Sequence, residues 1–264
     1  MSSRVLHLKG ASNFRDLGGY PTSSGRETSW RSIFRSAKLS TLHDDDLQII
    51  SECNIRSVVD LRTIAEQTAH PSRWRKPPDT IYTSAKTNND EVIDLFVRGI
   101  GSEGEAVDRM RAFYADLPFR YRDEFAALFS LLDRQDGATL IHCTAGKDRT
   151  GVACALVLSA LGVHKSALVE DYALTETLLE MAELARTPAE HIGGANEHGV
   201  LESLPPAARR ILWGSDPSFI GAAFESLERH FGSVDSYLEK ALLVDKDMRA
   251  RLQDRYTADI QRSH

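Results

Sequence analysis

The chain reads as an α/β protein, and three stretches carry that reading. Ile55 to Leu61 (IRSVVDL) and Ala138 to His142 (ATLIH) are short apolar runs with β-branched residues, the pattern of buried strands. The second run is followed by a tight loop, TAGKDR, and then by TGVACALVLSALG, an almost wholly apolar helix ended by Gly162. A helix that is apolar all round has to be buried, and a sheet is the surface that buries it. Strand, tight loop, buried helix is also the geometry of an α/β phosphate site.

The other elements follow along the chain. Leu42, Leu47, Ile49 and Ile50 form an amphipathic stretch that Ser40 and Thr41 introduce as hydroxyl caps, with Asp44 to Asp46 in its first turn. Nothing beside that acidic run completes a coordination shell, so it reads as helix-end electrostatics rather than a metal site. Pro71, Pro77 and Pro78 break the chain, and Thr80 to Ser84 predicts a second strand. From Glu105 to Leu132 apolar residues recur at helical spacing, with an interruption expected at Pro118 and a turn at Asp136-Gly137. From His164 onward the chain reads as helix after helix, apart from a looser Gly- and Pro-containing stretch from Thr187 to Pro217. The organisation expected is one domain over residues 1–264, with a C-terminal helical cap and a helical lid or insertion at 176–217.

Composition narrows the function classes. The 264 residues carry 32 Lys and Arg against 38 Asp and Glu, a formal charge of −6. With 42% hydrophobic residues and a mean hydropathy of −0.31, the values are those of an ordinary globular chain. No apolar stretch approaches the roughly 18 uncharged residues a membrane helix needs, and the N-terminus has no continuous apolar segment of the signal-peptide kind. A pI of 5.9 argues against a nucleic-acid partner, which calls for a basic face. Cys53, Cys143 and Cys154 are too few and wrongly spaced for a disulfide scaffold or a metal site. A reducing, cytoplasmic setting fits them, with export by an unconventional route left open.

The chemistry concentrates in HCTAGKDRTG, His142 to Gly151. A thiolate is a strong nucleophile, but a free thiol with pKa near 8.5 is only a few per cent ionised at neutral pH. Setting the Cys143 sulfur in a loop whose amides point inward, at a helix N-terminus, favours its anion. The amides of Thr144, Ala145, Gly146, Lys147, Asp148 and Arg149 would then hold phosphoryl oxygens, and the Arg149 guanidinium offers a two-pronged fit that Lys lacks. Gly146 lets the backbone turn close to the anion, and the Thr150 hydroxyl can donate to the sulfur as it leaves.

This segment resembles the signature HCxxGxxR[ST] of the cysteine-dependent phosphatases, in a tyrosine-phosphatase-like branch similar to the mycobacterial secreted tyrosine and phosphoinositide phosphatase. NFRDLGGY (Asn13 to Tyr20), FRSAKLSTL (Phe34 to Leu42) and VVDLRT (Val58 to Thr63) extend the resemblance over roughly residues 10 to 175. DYALT (Asp171 to Thr175) and FGSVDSYL (Phe231 to Leu238) carry it on more loosely. The resemblance implies a phosphatase-type central sheet, mostly parallel and flanked by helices. It also implies a phosphocysteine intermediate, no metal and no cofactor. A phosphorylated protein or a phosphoinositide would be the substrate, and inorganic phosphate the product. The alternative is a catalytically silent module that only binds phosphate groups, although Cys143, Arg149 and Thr150 are all intact.

Ester cleavage needs a proton for the leaving oxygen and a base for water. The Trp-Pro-Asp signature of common tyrosine phosphatases is missing from this sequence. The related branch carries its Asp inside the loop, which is Asp148 here; the other reading of Asp148 is a brace for the loop. Asp60, at a strand end, is a second candidate acid, or else the carboxylate that orients Arg149 or Arg62. Lys147 reads as a further cation for phosphate or as a solvated lysine, and His142 as a strand histidine tuning Cys143. Arg15 and Asp16 either line the site or make an ion pair beside the Gly18-Gly19 turn. Cys154 is a packed thiol in the apolar helix.

Overall fold

The computed structural model of the protein describes residues 3–86, 102–134, 137–179 and 206–260. The first half runs β1 (Arg15–Asp16), β2 (Arg26–Thr28), β3 (Ile33–Ser36), α1 (Asp44–Glu52), β4 (Ile55–Asp60), α2 (Ile64–Ala69) and β5 (Thr80–Thr83). Then come α3 (Glu103–Arg120), α4 (Arg122–Arg134), β6 (Ala138–His142), α5 (Asp148–Ala160) and α6 (Lys165–Leu178). The chain ends with α7 (Pro206–Trp213), α8 (Pro217–Phe231), α9 (Val234–Ala241), α10 (Lys246–Tyr256) and β7 (Thr257–Asp259).

Five strands make one sheet in the order β1-β3-β6-β4-β5, parallel throughout except for β1 on the edge. The fold is therefore the mostly parallel, helix-flanked sheet expected from the sequence. Side chains alternate across it. Ile33, Val59 and Ile141 face the large core built with α3 to α6 and the C-terminal helices, while Phe34, Val58 and Leu140 face a smaller core under α1. Burial on both faces explains why IRSVVDL and ATLIH read as unbroken apolar runs. The C-terminal helices close the larger face, with α8 packed along α3.

Register fixes where a ligand can sit. Ser36, His142 and Asp60 pair side by side at the carboxyl ends of β3, β6 and β4. In open parallel sheets that edge is the ligand crevice. From it β6 feeds the 143–147 loop, and α5 begins at Asp148.

Several expectations shift. Helix α1 is capped at His43, whose backbone amide donates to Asp46 Oδ2 at 2.8 Å, rather than at Ser40 or Thr41. The Thr41 hydroxyl is used instead to bind the Gly10 carbonyl. The interruption expected at Pro118 falls three residues later, at Tyr121 between α3 and α4; Pro118 itself lies in the last turn of α3, where a proline removes only one bond close to the helix end. Of the stretch 176–217, residues 180–205 lie outside the described residues, as does Asp136 of the expected turn. No described helix is long and apolar enough to cross a membrane.

Candidate active site

The loop after β6 is held from outside by its carbonyls. The Thr144 carbonyl accepts from the Lys38 amide at 2.9 Å. Asn13 Nδ2 donates to the carbonyl of Gly146 at 2.8 Å and reaches that of Ala145 at 3.5 Å, while Arg35 Nη2 adds a second donor to Gly146 at 2.7 Å. In a trans peptide the carbonyl and the next amide point in opposite directions. Three consecutive carbonyls drawn outward therefore turn the amides of Ala145, Gly146 and Lys147 to the inner side of the loop. Gly146 makes this possible: its φ is +66°, and a Cβ there would sit 2.4 Å from the Ser36 carbonyl oxygen.

The external donors are themselves anchored. Asp171 of α6 accepts from Arg15 Nε at 2.9 Å, Arg35 Nη1 at 2.6 Å and the Tyr20 hydroxyl at 2.9 Å, with both arginines and the carboxylate fully buried. Arg15 Nη1 in turn bonds the Asn13 side-chain oxygen. Burial alone would raise the Asp171 carboxyl, but the two guanidiniums outweigh it and hold its pKa well below the usual carboxylate range. Arg15 thus pairs with Asp171 behind the loop. Asp16 accepts the amides of Gly18 and Arg31 at 2.8 and 2.7 Å, as a turn carboxylate does.

Arg149 lies on the first turn of α5 and is clamped by Glu66. The two pairs, Nη1 to Oε2 and Nη2 to Oε1, measure 2.7 and 2.8 Å, and Nη1 also reaches the Leu61 carbonyl at 3.2 Å. Glu66 accepts from the Thr63 amide at 2.7 Å within the capping box of α2, and from the Thr144 hydroxyl of the loop. Burial pushes the Glu66 carboxyl up, yet Arg149 and these hydrogen bonds prevail and bring its pKa down to about 2. Cys143 is 2% exposed, and the Thr150 hydroxyl is buried without a hydrogen-bond partner among the described residues, so its expected bond to the sulfur is not made here.

A buried loop with an anchored arginine, a thiol at its start and amides turned inward is built for a tetrahedral anion. The family model for the tyrosine phosphatase family matches residues 6–258. The chain belongs to that family. A Cupriavidus necator protein named as a tyrosine-protein phosphatase is 30% identical over 249 residues, 94% of this chain and 86% of its own. The triple specificity protein phosphatase PtpB of Mycobacterium tuberculosis is 27% identical over 90% of this chain and 94% of its own. Among solved structures, Pseudomonas aeruginosa TpbA aligns over 70% of this chain and 93% of its own, at 16% identity and a TM-score of 0.31. Membership of the family makes the chain a phosphoric monoester hydrolase of the tyrosine-phosphatase type.

In this tyrosine phosphatase the remaining expected residues are tied into the fold around the loop. Asp148, 18% exposed at its side chain, accepts at Oδ1 from the Tyr114 hydroxyl at 2.6 Å. The Lys147 amine is neither solvated nor free to follow a phosphate. It donates to the carbonyls of Leu212 and Gly214 at 2.5 and 3.1 Å, with Asp148 Oδ1 3.3 Å away. Asp60 faces Arg62, not Arg149, through contacts of 2.7 to 3.2 Å. Burial opposes its ionisation, but His142 and Arg62 together depress its pKa. His142 is fully buried, with Nδ1 3.3 Å from the Cys143 carbonyl and Nε2 3.6 Å from Asp60, and burial lowers its pKa. Burial pushes the Cys154 thiol up to about 12, which fits an inert packed residue. No cluster of three or more His, Cys, Asp or Glu suited to a metal occurs among the described residues.

Sequence reasoning missed Glu66, Tyr114, Tyr172 and the bridging role of Asp171. Glu66 had a signal, since Thr63-x-x-Glu66 is a capping box, but that pattern announces a helix start and not an arginine clamp. Tyr114 and Tyr172 sit on apolar helix faces, where nothing local separates a working phenol from a packing one.

Proposed function

We propose that this phosphatase cleaves phosphate monoesters through a phosphocysteine intermediate. The Cys143 thiolate attacks phosphorus in line. The S–P bond forms as the ester O–P bond breaks, and Asp148 gives its proton to the leaving oxygen. Arg149 and the loop amides, from Thr144 to Arg149, neutralise the equatorial oxygens, so the step calls for no metal ion. Water then attacks the phosphocysteine, returns a proton to Asp148 and releases inorganic phosphate and the thiolate. Thr150 would stabilise that departing sulfur, and His142 would set the backbone from which it projects.

The observation that carries this reading is the outward anchoring of the Thr144, Ala145 and Gly146 carbonyls, which by peptide planarity turns consecutive amides to the inner side of the loop before any substrate arrives. Preorganised donors cost no rearrangement during reaction, and that is where electrostatic catalysis gains most. We infer a protein substrate, phosphotyrosine first and phosphoserine or phosphothreonine next, with phosphoinositides as a further class. The triple specificity in the name of the M. tuberculosis relative supports trying all three. Against the lipid class stands Lys147: a second headgroup phosphate would have to draw its amine from the Leu212 and Gly214 carbonyls. Three buried free cysteines fit a reducing compartment such as the cytoplasm.

The test is hydrolysis of an aryl phosphate in excess chelator, wild type beside Cys143→Ser. Wild type should turn over, while the variant should lose at least about 10³-fold in kcat and still bind inorganic phosphate by calorimetry. Loss of wild-type activity in chelator would overturn the metal-free step. Activity retained in the variant would overturn the covalent one.

A further inference from the structure

One buried group beside the loop has no part in the chemistry described so far. Tyr114 of α3 is fully buried, donates to Asp148 Oδ1 at 2.6 Å and stands 2.6 Å, hydroxyl to hydroxyl, from Tyr172 of α6. Its ring is fixed edge-on to Tyr172 and tilted against Phe219 of α8, so the hydroxyl has one place to be. Gly151 keeps room for the pair, since a Cβ there would come within 3.1 Å of the Tyr172 ring. Burial and the Asp148 charge raise both phenols well above their ordinary value of 10, so each keeps its hydrogen through the neutral range. With the Tyr114 hydrogen given to Asp148, Tyr172 is left to donate to Tyr114, which makes a directed chain ending on one carboxylate oxygen.

We propose that Tyr114 is a positioning residue for the general acid: by occupying Asp148 Oδ1, with Tyr172 behind it, it assigns the transferable proton to Oδ2. The proposal rests on the reading of Asp148 as acid and base. The nearest approach of the Lys147 amine, 3.3 Å, is also to Oδ1, so both donors load the same oxygen. In the first step the Oδ2 proton passes to the leaving oxygen, and in the second a water proton returns to Oδ2; Tyr114 keeps its own throughout. The charged and titratable groups around this chain are Lys147 and Asp148 on the loop side, Arg35 from β3 and Asp216 ahead of α8. A hydrogen bond on one carboxylate oxygen leaves the other to carry the proton, so removing it should cost most where that proton is needed.

The experiment uses the full chain carrying Tyr114→Phe, alone and combined with Asp148→Asn, on phenyl phosphate and on p-nitrophenyl phosphate. Tyr114→Phe should lower kcat on phenyl phosphate about tenfold but by less than about threefold on the activated ester, because only the poor leaving group depends on the proton. KM should stay within about twofold on both esters, because the change leaves the phosphate-holding amides untouched. In the Asp148→Asn background the tyrosine change should add nothing. Equal losses on both esters, or a loss carried by KM, would reduce Tyr114 to packing and overturn the inference. If Asp148→Asn itself shows no leaving-group dependence, the underlying reading falls and this one with it. Should Tyr114→Phe not fold, Tyr172→Phe must lower kcat on phenyl phosphate more than on the activated ester, by a smaller amount; equal effects on both there overturn the chain.

Discussion

Asp60–Arg62 and Glu66–Arg149 are both buried and both closed through two carboxylate oxygens, and they lie at the same end of the sheet. They differ in reach. Asp60 holds a guanidinium two residues along its own chain, and that guanidinium spends its other donors on the His70 carbonyl and Ser72, pinning the segment after α2. Glu66 holds one 83 residues away, on the first turn of the helix that follows a different strand. A local pair can shape only its own turn. A distant pair makes the geometry of one element depend on another, and that is what a preorganised site requires. Asp171 extends the same logic, since one carboxylate gathers two arginines from β1 and β3 behind the loop.

If reach is what matters, Asp171→Ala should do the most damage. It leaves two buried guanidiniums unpaired, a change that costs about 3–5 kcal/mol. Urea unfolding should show a fall of that size, and activity should go with it, because the donors on Gly146 and Asn13 lose their anchor. A loss below about 1 kcal/mol would mean that the arginines are held by other groups.

Glu66→Gln should come next, and its effect should be mainly catalytic. The amide keeps one acceptor for Arg149 but loses the charge and the paired geometry, so kcat/KM should fall about 10- to 100-fold. Stability should respond to pH in a definite direction. With its pKa depressed from 4.5 to about 2, Glu66 contributes roughly 3 kcal/mol above pH 4.5. That contribution is lost as pH falls from about 4.5 to 2. Wild type should therefore lose this increment on acidification, and the variant should not. Parallel acid curves for the two would show that Glu66 titrates no differently folded than unfolded.

How much of this was legible in the sequence follows the same division. Strands β4 and β6, the loop and α5 were readable because each is specified by neighbours: apolar runs, a glycine at a positive φ, an apolar helix. The residues of HCTAGKDRTG stand out for the same reason, being packed into one short segment. The clamp on Arg149 was not readable, because Glu66 and Asp60 are both acids near the end of VVDLRT, and only the fold decides which one faces across. The sequence favoured Asp60 by its place at a strand end. The direction of its side chain is set by the adjacent Arg62, a contact that distance along the chain makes almost unavoidable. Tyr114, 34 residues before Asp148, offered no such cue.

The smallest catalytic effect should come from Asp60→Asn, and that variant tests the comparison from its other side. An amide at this position still accepts from the Arg62 backbone, but one of its hydrogens must face guanidinium donors, so about 1–3 kcal/mol of stability should be lost. His142 sits 3.6 Å from the same carboxylate, which favours its protonated form against the dominant effect of burial. Removing the charge therefore leaves the imidazole neutral, as it already is near pH 7. Neither change touches the loop amides, Glu66 or Asp148, so kcat/KM should stay within about threefold of wild type on good and poor leaving groups alike. A loss above about 100-fold confined to poor leaving groups, with the alkaline limb of the pH profile gone, would make Asp60 the acid and reduce Asp148 to a brace. Because the two carboxylates predict opposite patterns on the same pair of esters, one titration series decides between them.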